Sequence, residues 1–88
     1  MVHYAVEVTP AASRQIRKLD RNTQKRVLAR IEKLEEDPRP RDASKLQSPE
    51  ELYRVRVGDF RIVYQVEDDR LLVLIVRVGN RREIYRNL

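Results

Sequence analysis

Tyr53–Val66, YRVRVGDFRIVYQV, alternates apolar and polar residues on either side of Gly58-Asp59. A period of two marks strands, and Gly-Asp between two such runs marks a two-residue hairpin turn. Turn length fixes register, so Val57 is predicted to face Phe60, Val55 to face Ile62 and Tyr53 to face Tyr64. All six are apolar or aromatic, and they define the side that should pack on helices. The other side sets Arg56 directly across from Arg61 and Arg54 across from Val63. Like charges directly opposite on paired strands cost roughly a few tenths of a kcal/mol. An anion bridging the guanidinium groups, phosphate above all, would convert that repulsion into binding. The competing reading is a solvated strand face whose charge discourages aggregation.

Working outward, the hairpin strands run over Leu52–Val57 and Phe60–Val66, and a third strand is predicted over Leu71–Val78. On the arginine side of this meander fall Leu72, Leu74 and Val76, which require a cover: a protein partner or the C-terminal segment. Upstream, Met1–Val8 alternates, with Tyr4, Val6 and Val8 on one side. TPAAS then opens a helix, with Thr9 as N-cap and Pro10 at the first helical position, where its missing N–H costs nothing. Ala12, Ile16 and Leu19 repeat at helical spacing, leaving Arg14, Arg17 and Lys18 outward. DRN interrupts the pattern. A second helix from about Thr23 to Glu36 carries the apolar stripe Val27, Leu28, Ile31 and Leu34, and so short a connection favours an antiparallel pair. Pro38 and Pro40 end it, DPRPRDASKLQSP reads as a surface loop, and a short extended piece is expected around Glu83 to Arg86. Strand, two helices, then a strand meander define a single α+β domain over residues 1–88, with the helices on one face of a mainly antiparallel sheet.

The chain has 88 residues, 41% hydrophobic and 38% charged, with a net charge of +5 and a pI near 10.0. That balance points to an acidic partner, nucleic acid or an acidic protein. Fifteen Arg against four Lys favours planar, bidentate phosphate contacts. With no cysteine and only His3, thiol chemistry, disulfides and histidine-rich metal sites are excluded. Glu35, Glu36 and Asp37 sit at a helix end, where a solvated run competes with a metal or acid–base site. No Gly-rich phosphate loop spacing occurs. Without a signal sequence, and with LLVLIV (71–76) far too short to span a bilayer, a soluble cytoplasmic protein is expected, with no cofactor and no metal.

A second basic cluster closes the chain in GNRREIYRNL. Arg81 and Tyr85 are four residues apart, which in an extended chain points both to the same side. A tyrosine beside arginines can stack on a base or exchange a proton, and the competing role is packing at a sheet edge. Arg82 and Arg86 have the other parity.

These residues together resemble the RelE/ParE superfamily of bacterial toxins from toxin–antitoxin pairs, and within it the RelE branch. The resemblance covers essentially the whole chain and is most specific over KLQSPEELYRVRVGDFRIVYQVEDDRLLVLIVRVGNRREIY. It rests on Lys45-Leu46 before the sheet, the YRVRV and FRIVY strands, and the closing VG-x-R-x-x-x-Y. It implies an endoribonuclease that cleaves messenger RNA in the ribosomal decoding site, in contact with small-subunit (16S) ribosomal RNA. A cognate RelB-like antitoxin would hold it inactive. By motif, Arg54 and Arg56 correspond to the basic pair that holds substrate and assists in activating the ribose 2′-hydroxyl, Arg56 as a catalytic residue, with Lys45 also on the substrate side. Arg61 corresponds to the arginine at the scissile phosphate, Arg81 to that near the leaving oxygen, and Tyr85 to the tyrosine that stacks on the reacting nucleotide. The reaction implied is metal-independent attack of the ribose 2′-hydroxyl on the adjacent phosphate. The chain departs from the pattern in carrying arginine where some relatives carry lysine at 54 and 56, Asn80 where a basic or imidazole side chain is common, and Gln47-Ser48 after the KL element. The same fold also supports a different class of function, ParE-like inhibition of DNA gyrase without catalysis.

Overall fold

The computed structural model describes residues 3–48 and 50–84. The elements are β1 (Ala5–Val8), α1 (Pro10–Arg17), α2 (Arg21–Leu34), β2 (Ser44–Lys45), β3 (Leu52–Val57), β4 (Phe60–Glu67) and β5 (Leu72–Asn80). The five strands form one sheet in the order β1-β5-β4-β3-β2, with β1 parallel to β5 and the other pairs antiparallel. This is the α+β arrangement that the element order predicts.

The helix starts follow from local chemistry. Thr9 accepts the Ala12 N–H at 3.1 Å, and Pro10 opens α1. The second helix begins earlier than expected, because Asp20 is its N-cap: its carboxylate accepts the Thr23 N–H at 3.2 Å and the Thr23 hydroxyl at 2.6 Å. The DRN break is therefore a helix start, with Arg21 and Asn22 in the first turn. Val27, Ile31 and Leu34 of α2 are buried, whereas Leu28, expected in the same stripe, is 47% exposed. The buried three follow a spacing of four and three and already fill the face toward the sheet; Leu28 lies beside it.

Ala12, Ile16, Val27, Ile31 and Leu34 pack with Val55, Val57, Ile62, Tyr64, Val66, Val73, Ile75 and Val78 in the main core. Removing their apolar surface from water drives the helix pair onto this face, at about 25 cal/mol per Å². Helix α1 and its N-cap are also tied to β5 beyond the end of β1. Thr9 Oγ1 donates to the Val76 carbonyl, and the Val78 N–H donates to Gln15 Oε1 at 2.7 Å, so side chains of α1 satisfy a strand edge that β1 does not reach.

The predicted loop between α2 and β3 contains β2, which pairs Ser44 with Arg54 and Lys45 with Tyr53. The loop is held by polar contacts at the opposite end of the sheet from the hairpin turn. Arg39 donates to both carboxylate oxygens of Asp68 at 2.8 and 3.0 Å and through Nε to the Tyr53 hydroxyl at 2.9 Å. Tyr4 donates to Asp68 at 2.7 Å, and the buried Tyr64 hydroxyl donates to the Pro38 carbonyl at 2.8 Å. The guanidinium of Arg39, and next the Tyr4 hydroxyl, hold the Asp68 carboxyl below the usual carboxylate range. Burial pushes the Tyr64 hydroxyl well above the usual phenol range.

Two further expectations are corrected. The third strand starts at Leu72, since Leu71 has a φ of +49° and belongs to the turn. Residues 81–84 form a turn in which the Glu83 and Ile84 N–H groups donate to the Asn80 carbonyl, so Glu83 and Ile84 are not extended. Tyr85 and Arg86 lie outside the described residues.

Candidate active site

The hairpin has the register that its turn dictates. Tyr53 pairs with Tyr64, Arg54 with Val63, Val55 with Ile62, Arg56 with Arg61 and Val57 with Phe60. Gly58 has a φ of +58°, which a two-residue turn of this kind requires and a residue with a Cβ adopts only at a cost. The two arginines thus stand face to face, but in unequal surroundings. Arg56 is exposed, while Arg61 is only 6% exposed. The Arg61 guanidinium donates to the Phe60 carbonyl at 3.2 Å and the Gly58 carbonyl at 3.4 Å. The negative ends of two turn carbonyls offset the like-charge pairing, so the fold itself gives Arg61 a place.

Arg81 meets the same corner from β5. Its backbone N–H donates to the Asp59 carbonyl at 3.0 Å, which ties the start of the 81–84 turn to the tip of the hairpin. Its side chain is exposed and lines, with Asp59, Asn80 and Arg82, a small cavity of about 250 Å³. The Asn80 side chain accepts the Arg82 N–H at 3.0 Å, shaping that turn. Arg56, Arg61 and Arg81 are therefore brought to one end of the sheet by three different elements. Arg54, half-buried, stands one row further along the arginine face. Lys45 is not brought to that face: its register opposite Tyr53 sets it toward the other side, and its Nζ is 4.0 Å from Glu51. Tyr85 lies outside the described residues.

The arginine face has its own small core. Leu52, Val63 and Ile84 are buried together with Leu46 and Val76 against them. Ile84 belongs to the turn that follows β5, so this part of the face is covered by the chain itself, the second of the two covers that the sequence left open. Gly79, paired with Arg61, makes room for it, because a Cβ there would come within 3.3 Å of Ile84 Cδ1.

One arginine on this face escaped the alternation argument. The β4–β5 register shifts between Val63 and Tyr64: Tyr64 pairs with Ile75, but Val63 pairs with Arg77. Val76 is the extra residue of a bulge, which turns Arg77 onto the arginine face and lets Val78 enter the main core. Strict alternation after Ile75 would have put Arg77 inward and Val78 outward, and that misfit was the available signal. Arg77 donates to the Ile84 carbonyl at 3.3 Å, supporting the turn that presents Arg81.

Chemically, this corner offers positive charge and directed N–H donors around a space beside the hairpin tip. Guanidinium groups stay protonated at neutral pH and do not accept protons, so their capacity is to bind and stabilise an anion. Among the described residues, no group of three or more His, Asp or Glu side chains is placed to share a metal ion.

Comparison with known proteins gives this geometry its family. The family model for the ParE toxin of type II toxin–antitoxin systems, parDE, matches residues 6–85. The chain belongs to the RelE/ParE superfamily of type II toxin–antitoxin toxins. Its relatives make it a RelE-like toxin. The RelE1 protein of Methanocaldococcus jannaschii is 30% identical over 87 residues, covering 96% of this chain and 97% of the relative. The mRNA interferase toxin RelE of Escherichia coli K12 is 28% identical over 86 residues, covering 93% of this chain and 90% of that one. The archaeal RelE–RelB complex from Pyrococcus horikoshii superposes with a TM-score of 0.81 at 28% identity, over 94% of this chain and 99% of the matched one. No helix among the described residues is long and apolar enough to cross a membrane.

Proposed function

We propose that this toxin is a ribosome-dependent endoribonuclease that cleaves messenger RNA in the decoding site and is neutralised by a RelB-like antitoxin in the cytoplasm. The observation that carries the reading is the corner at which Arg56 stands opposite Arg61 while the Arg81 backbone is bound to the hairpin tip. Three cations from three elements at one sheet end fit a phosphodiester whose charge grows in the transition state. In the reaction, the ribose 2′-oxygen bonds to the adjacent phosphorus and the bond from phosphorus to the 5′-oxygen breaks. The 2′ proton passes to solvent, and a proton from solvent completes the leaving 5′-hydroxyl. Arg61, held by the turn carbonyls, contacts the phosphoryl oxygens together with Arg56, and Arg81 stabilises the leaving oxygen. Arg54 holds flanking substrate, and Tyr85 stacks on the reacting nucleotide; Lys45, on the other side of the sheet, takes no part. Alignment of nucleophile and leaving group supplies much of the acceleration, which suits a site without a proton-accepting side chain among its arginines. The relative named an mRNA interferase toxin and the neighbour solved as a RelE–RelB complex support the activity and the partner.

The test is primer extension on a defined message with purified ribosomes. The expected result is cleavage in codon register, leaving a cyclic phosphate and a 5′-hydroxyl that a polynucleotide kinase labels directly. An uncut message, or equal cutting by the Arg61→Ala/Arg81→Ala variant, would refute the assignment. The family model that matches is described for the ParE toxin, which favours a second reading as a ParE-like inhibitor of DNA gyrase. A supercoiling assay separates the two.

A further inference from the structure

The basic charge of the chain is not confined to the arginine face. Residues 10–34, which span both helices, hold eight Lys/Arg and two Asp/Glu, a net +6, against +5 for the whole chain. The other 63 residues hold eleven Lys/Arg and twelve Asp/Glu, so the sheet and its loops are close to neutral overall. Where α2 approaches the hairpin turn, Arg26, Arg30 and Lys33 line an open cleft of about 320 Å³ with Arg56, Val57 and Gly58. Strand β2 ends opposite Tyr53 and Arg54, leaving the β3 edge at Arg56 uncovered by a strand. That opening lets a residue of the arginine face also border α2.

The charges in this cleft are not compensated equally. Arg30 is neutralised by Asp42, whose two oxygens lie 2.5 and 2.6 Å from its Nη2. Arg26, Lys33 and Arg56 form no ion pair among the described residues. Arg26 lies over the hairpin tip, with both terminal nitrogens 3.4 Å from where a Cβ on Gly58 would sit. Three uncompensated cations facing one open cleft repel one another, and an anionic chain threaded between them relieves that repulsion.

We propose that this cleft is a second phosphate-binding site, which takes the backbone of single-stranded RNA beyond the scissile nucleotide, with Arg56 shared between cleft and active site. The inference rests on the reading of RNA as substrate. The lining favours a phosphodiester over an acidic protein helix, because Ala29 and Val57 are its apolar residues and a docked amphipathic helix needs an apolar stripe. A phosphate backbone needs spaced cations and room, and both are present.

The experiment is fluorescence anisotropy of the full chain with a labelled, 2′-O-methyl single-stranded RNA oligonucleotide, which lacks the attacking hydroxyl and is not cut. Binding is measured across a salt series. Each phosphate contact contributes a slope of about −0.7 in log affinity against log salt. Arg26→Gln/Lys33→Gln should reduce the slope magnitude by about 1.4, and Arg26→Lys/Lys33→Arg should restore it. Arg14→Gln/Arg17→Gln, with the same loss of charge on α1, should reduce it by less than half as much. Equal effects of the two Gln pairs would show a diffuse field and no site, overturning the proposal. So would an unchanged slope in the 26/33 pair, or loss of binding confined to a polyglutamate peptide probe. A 26/33 variant that binds with the wild-type slope, or a wild type that binds no oligonucleotide, refutes the cleft alone, whereas the nuclease reading beneath it falls if ribosome-bound message stays uncut.

Discussion

Arg61 donates from Nη1 to the Gly58 and Phe60 carbonyls, and the same guanidinium is the one proposed to meet the phosphate. Its position opposite Arg56 was legible from a two-residue turn and strict alternation. Its burial was not, because alternation gives a side of the sheet and says nothing about which carbonyls a long side chain can reach. Tyr64 shows the complementary case. Its place in the core follows from the same pairing, but its hydroxyl lies in the interior only because the Pro38 carbonyl of a distant loop accepts it. Replacing Tyr64 with Phe leaves that carbonyl without its donor and should cost about 1–3 kcal/mol, read as a lower urea midpoint at unchanged slope. Spectroscopic titration should show one tyrosine that resists ionisation until the protein unfolds in alkali, and this signal should be absent in Tyr64→Phe.

At the scale of elements, the hairpin and third strand were legible to within two residues because they carry the strongest periodicity in the chain. The two-residue β2 was not, since a strand that short has no period to detect. The β5 bulge was hidden for a similar reason: its trace is the charged Arg77 at an inward parity, and its result is a further arginine on the arginine face. The turn over 81–84 shows why spacing alone misjudged the closing segment. The Asn80 carbonyl accepts two backbone N–H groups there and its side chain a third, and Ile84 finds a buried seat above Gly79, so the chain folds back where an extended run is predicted. A branched side chain at Gly79 meets Ile84 directly. Gly79→Val should destabilise by about 1–3 kcal/mol through overpacking and displace the turn that carries Arg81. Thermal melts should register the first effect, and a cleavage rate lowered beyond what the remaining folded fraction explains should register the second.

At the scale of the molecule, two ends of one sheet do different work. The hairpin end gathers Arg56, Arg61 and Arg81, while the opposite end is locked by Arg39, Asp68 and Tyr4. Because the folded-state pKa of Asp68 is depressed, its contribution to stability is complete above the unfolded carboxyl pKa of about 3.9 and is lost as pH falls through the lower folded value. Arg39→Gln should therefore differ from the wild type more at pH 7 than in acid, the remainder of the gap reflecting the Arg39–Tyr53 contact, which urea midpoints across the pH range will check. A gap that stays constant would mean that the Asp68 contact contributes little. Net charge and its concentration over residues 10–34 were legible in the sequence, but the meeting of Arg26 and Lys33 with Arg56 at one cleft was not, because it depends on how α2 crosses the hairpin.

Stabilisation of the reacting phosphate by the arginine corner is read from single-turnover cleavage of ribosome-bound message by Arg61→Ala and wild type at saturating toxin. Loss of one preorganised donor to the transition state predicts a rate lower by about 10²–10³-fold in a variant that remains folded at the assay temperature. A folded Arg61→Ala chain that cuts at the wild-type rate would show that this corner does not stabilise the reacting phosphate.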